Sequence, residues 1–192
     1  MGRFEDLRKR IMGNKDLYPQ DLQDESDKRF GEIPGIPVFS TWDNREEMRK
    51  AKMHVVTTAG IAGSQDGAYS IVLSGGYVDD SDDGDFISYT GAGGTEGRDD
   101  SFGGDRSHRI DQTFSHPHNR ALKKSAEMGK PVRVIRGAAL KSKYAPSFGY
   151  RYDGLYNVIR TYETKGKEGH IVCKFELKRQ EGQPPLPIRR VL

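Results

Sequence analysis

Tyr77, Asp80 and Tyr89 are the residues whose types and spacing suggest chemistry. Tyr77 follows a Gly75-Gly76 pair at the end of an apolar run, Asp80 stands three residues on, and Tyr89-Thr90 closes the next alternating run before Gly91. Two tyrosines on adjacent, glycine-flanked strand ends can face each other across a slot. A carboxylate beside them can accept hydrogen bonds from an amino group held there. Those are the requirements for holding a cytosine, whose faces stack on aromatic rings and whose exocyclic N4 donor needs an acceptor. On spacing alone the same tyrosines also fit a core or a rim, and both readings stay open at this point.

Other constellations are weaker. The run Asp79-Asp80-Ser81-Asp82-Asp83-Gly84-Asp85 invites a calcium reading, yet position 12 of such a loop would be Gly91 instead of a bidentate glutamate. A polar loop capping two strands accounts for it. Gly91, Gly93, Gly94 and Gly97 resemble a phosphate cradle, but the dinucleotide spacing would need glycine where Glu96 stands, and no Lys-Ser/Thr follows. His108, His116 and His118 have one distant cysteine, Cys173, for company, so helix-cap and surface roles explain them better than zinc. Asp153 with Glu163-x-Lys165, or Glu176-x-Lys178, matches the carboxylate–carboxylate–lysine set of some magnesium nucleases. Such spacings arise by chance in a chain that is 31% charged. No metal and no cofactor is expected.

The chain of 192 residues and 21.6 kDa suits one domain with an appended arm. Its mean hydropathy is −0.78, and its 23 glycines suggest tight turns and close backbone approach. No apolar run nears the roughly 18 residues of a membrane span, and the charged N-terminus lacks a signal-peptide core. One cysteine excludes an internal disulfide. The expectation is a soluble intracellular protein. The net charge of +3 hides an asymmetry: residues 79–111 carry ten acidic residues and three arginines, whereas residues 120–192 carry 17 basic and six acidic ones. A polyanion suits the C-terminal half, as does a merely solvated basic face.

The elements that must position these residues follow from patterning. Residues 1–30 read as a polar arm with a short amphipathic helix over 3–12, and 181–192 as an extended tail. Between them, Asp43 is expected to cap a helix over 44–52 with Glu46 at the capping-box position, and Ser115 to cap one running to about Met128. Strands are expected at 68–74, 86–90, 131–136, 154–162 and 170–178. This mixed order gives an α+β domain on a curved, barrel-like mixed β-sheet flanked by short helices.

At these residues the sequence resembles the SRA (SET- and RING-associated, or YDG) domain family. The resemblance is carried in family order by Gly31-Glu-Ile-Pro-Gly-Ile-Pro-Val38, Ala59-Gly-Ile-Ala-Gly63, Asp66 to Asp80, Tyr89-Thr-Gly-Ala-Gly-Gly94, Asn119-Arg-Ala-Leu122, Gly129 to Arg136, Ser142-Lys-Tyr-Ala-Pro146 and Tyr150-Arg-Tyr-Asp-Gly-Leu-Tyr156. It implies an SRA/PUA-like fold over 31–180 and a reader of 5-methylcytosine in double-stranded DNA that flips the base into a pocket. Tyr77 and Tyr89 would sandwich the base and Asp80 would accept from N4. Backbone around Gly76 and Thr90 would meet the rest of its pairing edge, and Ser74 and Thr90 would line the methyl space. Lys141, Lys143 and Arg133 would hold phosphates, an assignment made on charge. The resemblance further implies a nuclear protein with chromatin proteins as partners and no membrane.

The chain also departs from the family. One duplex-inserting loop becomes His54-Val-Val-Thr-Thr-Ala-Gly60, with Thr58 near the inserted position. The Asn-Lys-Arg finger is missing from Thr95–Arg109, where Arg98, Arg106 or Arg109 is left to read guanine. Phe39 stands where the family usually has glycine. Two rival readings remain, a modification-dependent nuclease or its specificity module, and a degenerate SRA domain serving as a protein-interaction scaffold.

Overall fold

A computed structural model of the chain describes residues 30–94 and 109–189; the helix expected over 3–12 lies outside them. The five runs read as strands all form: β3 (Gly67–Leu73), β5 (Phe86–Thr90), β6 (Val132–Gly137), β7 (Tyr150–Lys165) and β8 (Ile171–Arg179). Three more escaped the pattern. β1 (Thr41–Trp42) and β4 (Ser81–Asp82) have two residues each, too few to alternate, and β2 (Ile61–Ser64) carries a glycine in the middle of its run. Both helix caps sit one residue later than the sequence suggests. α1 (Arg45–Lys50) is capped by Asn44, whose side chain accepts from the Glu47 N–H, while Glu47 reaches back to the Asp43 N–H. This resembles a capping box shifted by one position from Asp43 and Glu46, with the return bond reaching the residue before the cap. α2 (Pro117–Met128) is capped by His116 instead of Ser115, with proline in its first turn and Gly129 left-handed at its end.

The sheet is mixed, in the order β2-β3-β6-β7-β8-β5-β4, with β1 pairing β7 off this path; β3–β6 is its one parallel pair. As expected it is a mixed sheet flanked by short helices; among the described residues it stays open and does not close into a barrel by hydrogen bonds. It does curve. Register shifts at Ala62/Gly63, Arg133/Ile135 and Val158/Arg160 each insert a bulge, and bulges bend and twist a sheet. The curvature wraps one core of Ile61, Ile71, Ile87, Tyr89, Leu122, Val134, Tyr156 and Phe175. A second, smaller core packs Met48, Met53, Val72, Ile135, Tyr150 and Tyr152 on the other face.

The bulge opposite Val134 falls on Asp153-Gly154, the centre of the Tyr-Asp-Gly triplet. Tyr152 is buried in the second core, and its backbone bonds both Phe39 and Ser40. Asp153 is fully buried, accepting from Arg136 Nη1 at 2.9 Å and from Arg151 Nη2 at 2.9 Å. Gly154 has φ +104° and leaves room for Gln183, whose amide bonds both the N–H and the carbonyl of Leu155. The expected tail is therefore tied to the sheet as far as Gln183. Arg136, on β6, also reaches Asp82 on the edge strand β4 through two hydrogen bonds of 2.9 and 2.6 Å and the Gly84 carbonyl at 2.8 Å. Burial alone would raise the Asp82 carboxyl, but Arg136 and the Ser142 hydroxyl hold it below its ordinary value. Two arginines thus balance two carboxylates inside the sheet, and the acidic loop is pinned from within.

Phe39 has φ +74°, the left-handed region that glycine enters without strain, which accounts for the glycine the family places there. Its ring lies 5.9 Å from the Arg151 guanidinium, a contact glycine would lack.

Removing one carboxylate from the buried cluster leaves an uncompensated cation. Asp153→Ala is expected to cost about 3–5 kcal/mol of unfolding free energy. Arg160→Ala, which breaks an exposed 3.7 Å pair with Glu176, should cost less than about 1 kcal/mol. Urea denaturation of the two variants checks the contrast.

Candidate functional site

Ser74, Gly76, Tyr77, Asp80 and Tyr89 come together as the lining of one narrow slot, with Thr58, Ala59, Gly60, Ile61, Val72 and Ala92 completing it. Its walls do not come from adjacent strands, as the spacing had suggested. Tyr77 follows β3 and Tyr89 lies in β5, with β6, β7 and β8 between them in the sheet. Curvature closes the gap. A Cβ on Gly60 would lie 2.5 Å from the Tyr89 hydroxyl, so the absence of a side chain there lets the far wall approach. Tyr89 is 3% exposed and belongs to the core, whereas Tyr77 is half-buried at the mouth.

Asp80 is held as an acceptor. Its Oδ1 accepts the Thr90 N–H at 2.7 Å, so that N–H is spent on the carboxylate and does not face the slot. The expectation that Thr90 backbone meets the base edge is thereby withdrawn for this N–H alone; Thr90 is fully buried, and its N–H positions Asp80. Loss of water raises the Asp80 carboxyl to about 6, against the opposing pull of Thr90 and Lys174.

The loops around the slot are fixed by buried polar side chains that the sequence did not single out. Asn119 clamps Ala92 through both its backbone groups, at 2.7 and 3.0 Å, and Gln112 donates to the Gly91 and Gly93 carbonyls while accepting from Cys173. The Asn119 amide fills the space beside Gly91, so Gly91-Ala92-Gly93-Gly94 is a loop docked on a helix and a strand. On the opposite wall, His54 is fully buried between the Ser70 hydroxyl at 2.8 Å and the Ala59 carbonyl at 3.0 Å. Burial drives its pKa down to about 3, so it stays neutral, and Arg45 adds a bond to the same Ala59 carbonyl. Of these, only Asn119 lies in one of the short ordered blocks; His54 stands in the departing loop, and Gln112 and Arg45 carry no signal in sequence.

Among the remaining candidates, Thr58 is exposed at the slot. Arg109 is exposed, and its N–H donates to the Gly94 carbonyl, two residues past Ala92. Arg98 and Arg106 lie outside the described residues. Lys141 and Lys143 are exposed. Arg133 is not available for phosphate: it is 2% exposed and donates to the Gly31 carbonyl at 2.8 Å and the Met53 carbonyl at 3.3 Å. The nuclease set does not assemble. Asp153 is consumed by two arginines, and Glu163 stands ten residues along the same strand, about 30 Å away. His116 Nδ1 caps α2.

Residues 29–183 match the family model described as the SAD/SRA domain. The chain is 47% identical over 166 residues to a UHRF1-like protein of Cryptococcus neoformans var. grubii, covering 83% of this chain and 48% of that protein. It superposes with a TM-score of 0.73 and 43% identity on a modification-dependent TagI restriction endonuclease, over 79% of this chain and 52% of that one. With a TM-score of 0.67 and 37% identity it superposes on SUVH5 SRA in a complex with methylated CHH DNA, over 82% of this chain and 98% of that one. The chain therefore spans about half the length of the first two.

Because the Asp80 carboxyl is raised from an ordinary 3.8, its ionisation opposes folding at neutral pH. The stability conferred by the proton is full below about pH 4 and is lost as pH rises through about 6. Asp80→Asn should therefore stabilise the fold by about 1–3 kcal/mol at neutral pH, with the gain shrinking as the pH falls towards 4. Urea denaturation at both pH values measures it.

Proposed function

Because the chain belongs to the SAD/SRA domain family, we propose that it binds double-stranded DNA carrying 5-methylcytosine and turns that base out of the helix into the Tyr77–Asp80–Tyr89 slot. The carrying observation is Asp80, fixed by Thr90 at the wall of a narrow slot that two tyrosines line. A flipped base costs a few kcal/mol of lost stacking and pairing, and stacking on an aromatic side chain returns roughly 1–3 kcal/mol. Two rings and a charge-assisted hydrogen bond from N4 balance that cost. Ser74 lines the space for the methyl group, and Gly76 offers backbone to the pairing edge. In this reading Thr58, exposed at the slot, and the exposed Arg109 enter the duplex, and the exposed Lys141 and Lys143 meet phosphates. The likeness to the SUVH5 complex with methylated DNA supports this reading.

Nothing in it requires a catalytic step from this chain, and it fits a nuclear protein whose partners are chromatin. A second reading is a specificity module of a nuclease, supported by the likeness to the TagI enzyme, about half of which lies beyond the match. Both readings share the slot.

Fluorescence anisotropy on one CpG duplex, unmodified, hemimethylated and fully methylated, at about 150 mM salt tests the proposal. Methylation should tighten binding by about tenfold or more, equivalent to about 1.4 kcal/mol. Tyr77→Ala should weaken binding of the methylated duplex by roughly 1–3 kcal/mol and so remove most of that preference. Tyr77 is the cleaner probe, since truncating Tyr89 would also hollow the core. Equal, salt-sensitive binding to all three duplexes would overturn the proposal.

A further inference from the structure

Lys174 is a buried cation that the slot itself does not explain. It lies in β8, paired in register with Thr90 of β5, and is 5% exposed, so it reaches no phosphate. Its ammonium donates to the Asp79 carbonyl and, at 3.1 Å, to the Thr90 hydroxyl oxygen. A hydroxyl that accepts from an ammonium still has its own O–H to donate. The backbone N–H of the same Thr90 donates to the Asp80 carboxylate at 2.7 Å. Lys174 therefore holds, by the hydroxyl, the residue whose N–H holds Asp80.

Other charged groups face the same place. Asp79 lies beside Asp80 on its own loop and works against ionisation. Lys167, from the turn between β7 and β8, is bound to the Val78 carbonyl, and its N–H is bound to Asp79 Oδ1 at 3.0 Å. Glu176 stands two residues along β8 from Lys174. Tyr77 and Tyr89 flank the slot. The charge of Lys174 bears on Asp80 and favours its ionisation.

We propose, on the reading of this slot as the methylcytosine pocket, that Lys174 is a positioning residue: acting through Thr90 and never touching DNA, it keeps Asp80 an ionised acceptor for the base's N4 amino group. It thereby sets the acid limit of methyl-specific binding. Buried ammonium groups are costly unless paired, and here the pairing is with the groups that orient the base reader.

The test is methyl discrimination by anisotropy from about pH 5 to 8.5 for the wild type, Lys174→Met and Lys174→Arg. The wild type should lose discrimination as pH falls through about 6. Lys174→Met should lose it about one pH unit higher, recover part of it at the alkaline end, and Lys174→Arg should restore the wild-type midpoint. A uniform loss with an unmoved midpoint would overturn the proposal and leave Lys174 a structural residue. The carboxyl carbon of Asp80, titrated by NMR in DNA-free protein, reads the same shift without binding. Should Lys174→Met not fold, Thr90→Val should move that titration upward, and an unmoved one would overturn the proposal. A wild type with no discrimination at any pH, but with an Asp80 titration that moves in Lys174→Met, would sink the pocket reading and the N4 role with it.

Discussion

The Arg136 guanidinium is the constraint on which the rest of the structure depends. It projects from the middle of the sheet, on the face of Val132 and Val134, and ties Asp82 of the edge strand to Asp153 of the neighbouring strand. Tyr156 completes the cluster, accepting from Arg136 and donating to the Gly84 carbonyl. A guanidinium removed from water cannot remain without partners. The chain must therefore supply two carboxylates to the interior, and one comes from the loop that continues from the slot. Asp80 stands two residues before Asp82, so the residue that would read a base is set in place by an ion pair that no base touches.

The curvature has the same origin. A flat sheet would keep Tyr77 and Tyr89 apart, on strands separated by three others. The Asp153-Gly154 bulge both bends the sheet and turns Asp153 towards Arg136. The same bulge thus serves the ionic anchor and, with the other two, the curvature of the sheet. On the other side, neutral His54 and Arg45 share the Ala59 carbonyl and hold the Thr58–Gly60 wall. The slot is built from backbone fixed by buried polar groups, which suits a site that must meet the edges of a base without rearranging.

Much of this was legible. Ser74 to Tyr89 carry the slot within one short stretch, and glycine pairs mark where backbone must pass close. The five longer strands follow from β-branched and aromatic runs. The arginines were not legible. Val132-Arg-Val-Ile-Arg136 alternates, but β6 is covered on both faces, so neither Arg133 nor Arg136 faces water. Which arginine is spent on carbonyls and which on carboxylates depends on partners some 50 to 100 residues away. Lys174, Gln112 and Asn119 were hidden for the same reason, because their partners are backbone groups of loops distant in sequence. The helix caps slipped by one residue because Asp43 and Asn44, or Ser115 and His116, are neighbouring residues that can both cap.

The account's central claim is that the modified base leaves the helix to enter the slot. The most direct measurement is the emission of 2-aminopurine placed beside 5-methylcytosine in a duplex, recorded as the protein is added. Its emission is quenched by stacking and rises when the neighbouring base is withdrawn. The account predicts a marked rise with the methylated duplex that is absent with the unmethylated one and in Tyr77→Ala. Tight binding to methylated DNA with unchanged emission would mean that the base is read inside the helix, and would contradict it.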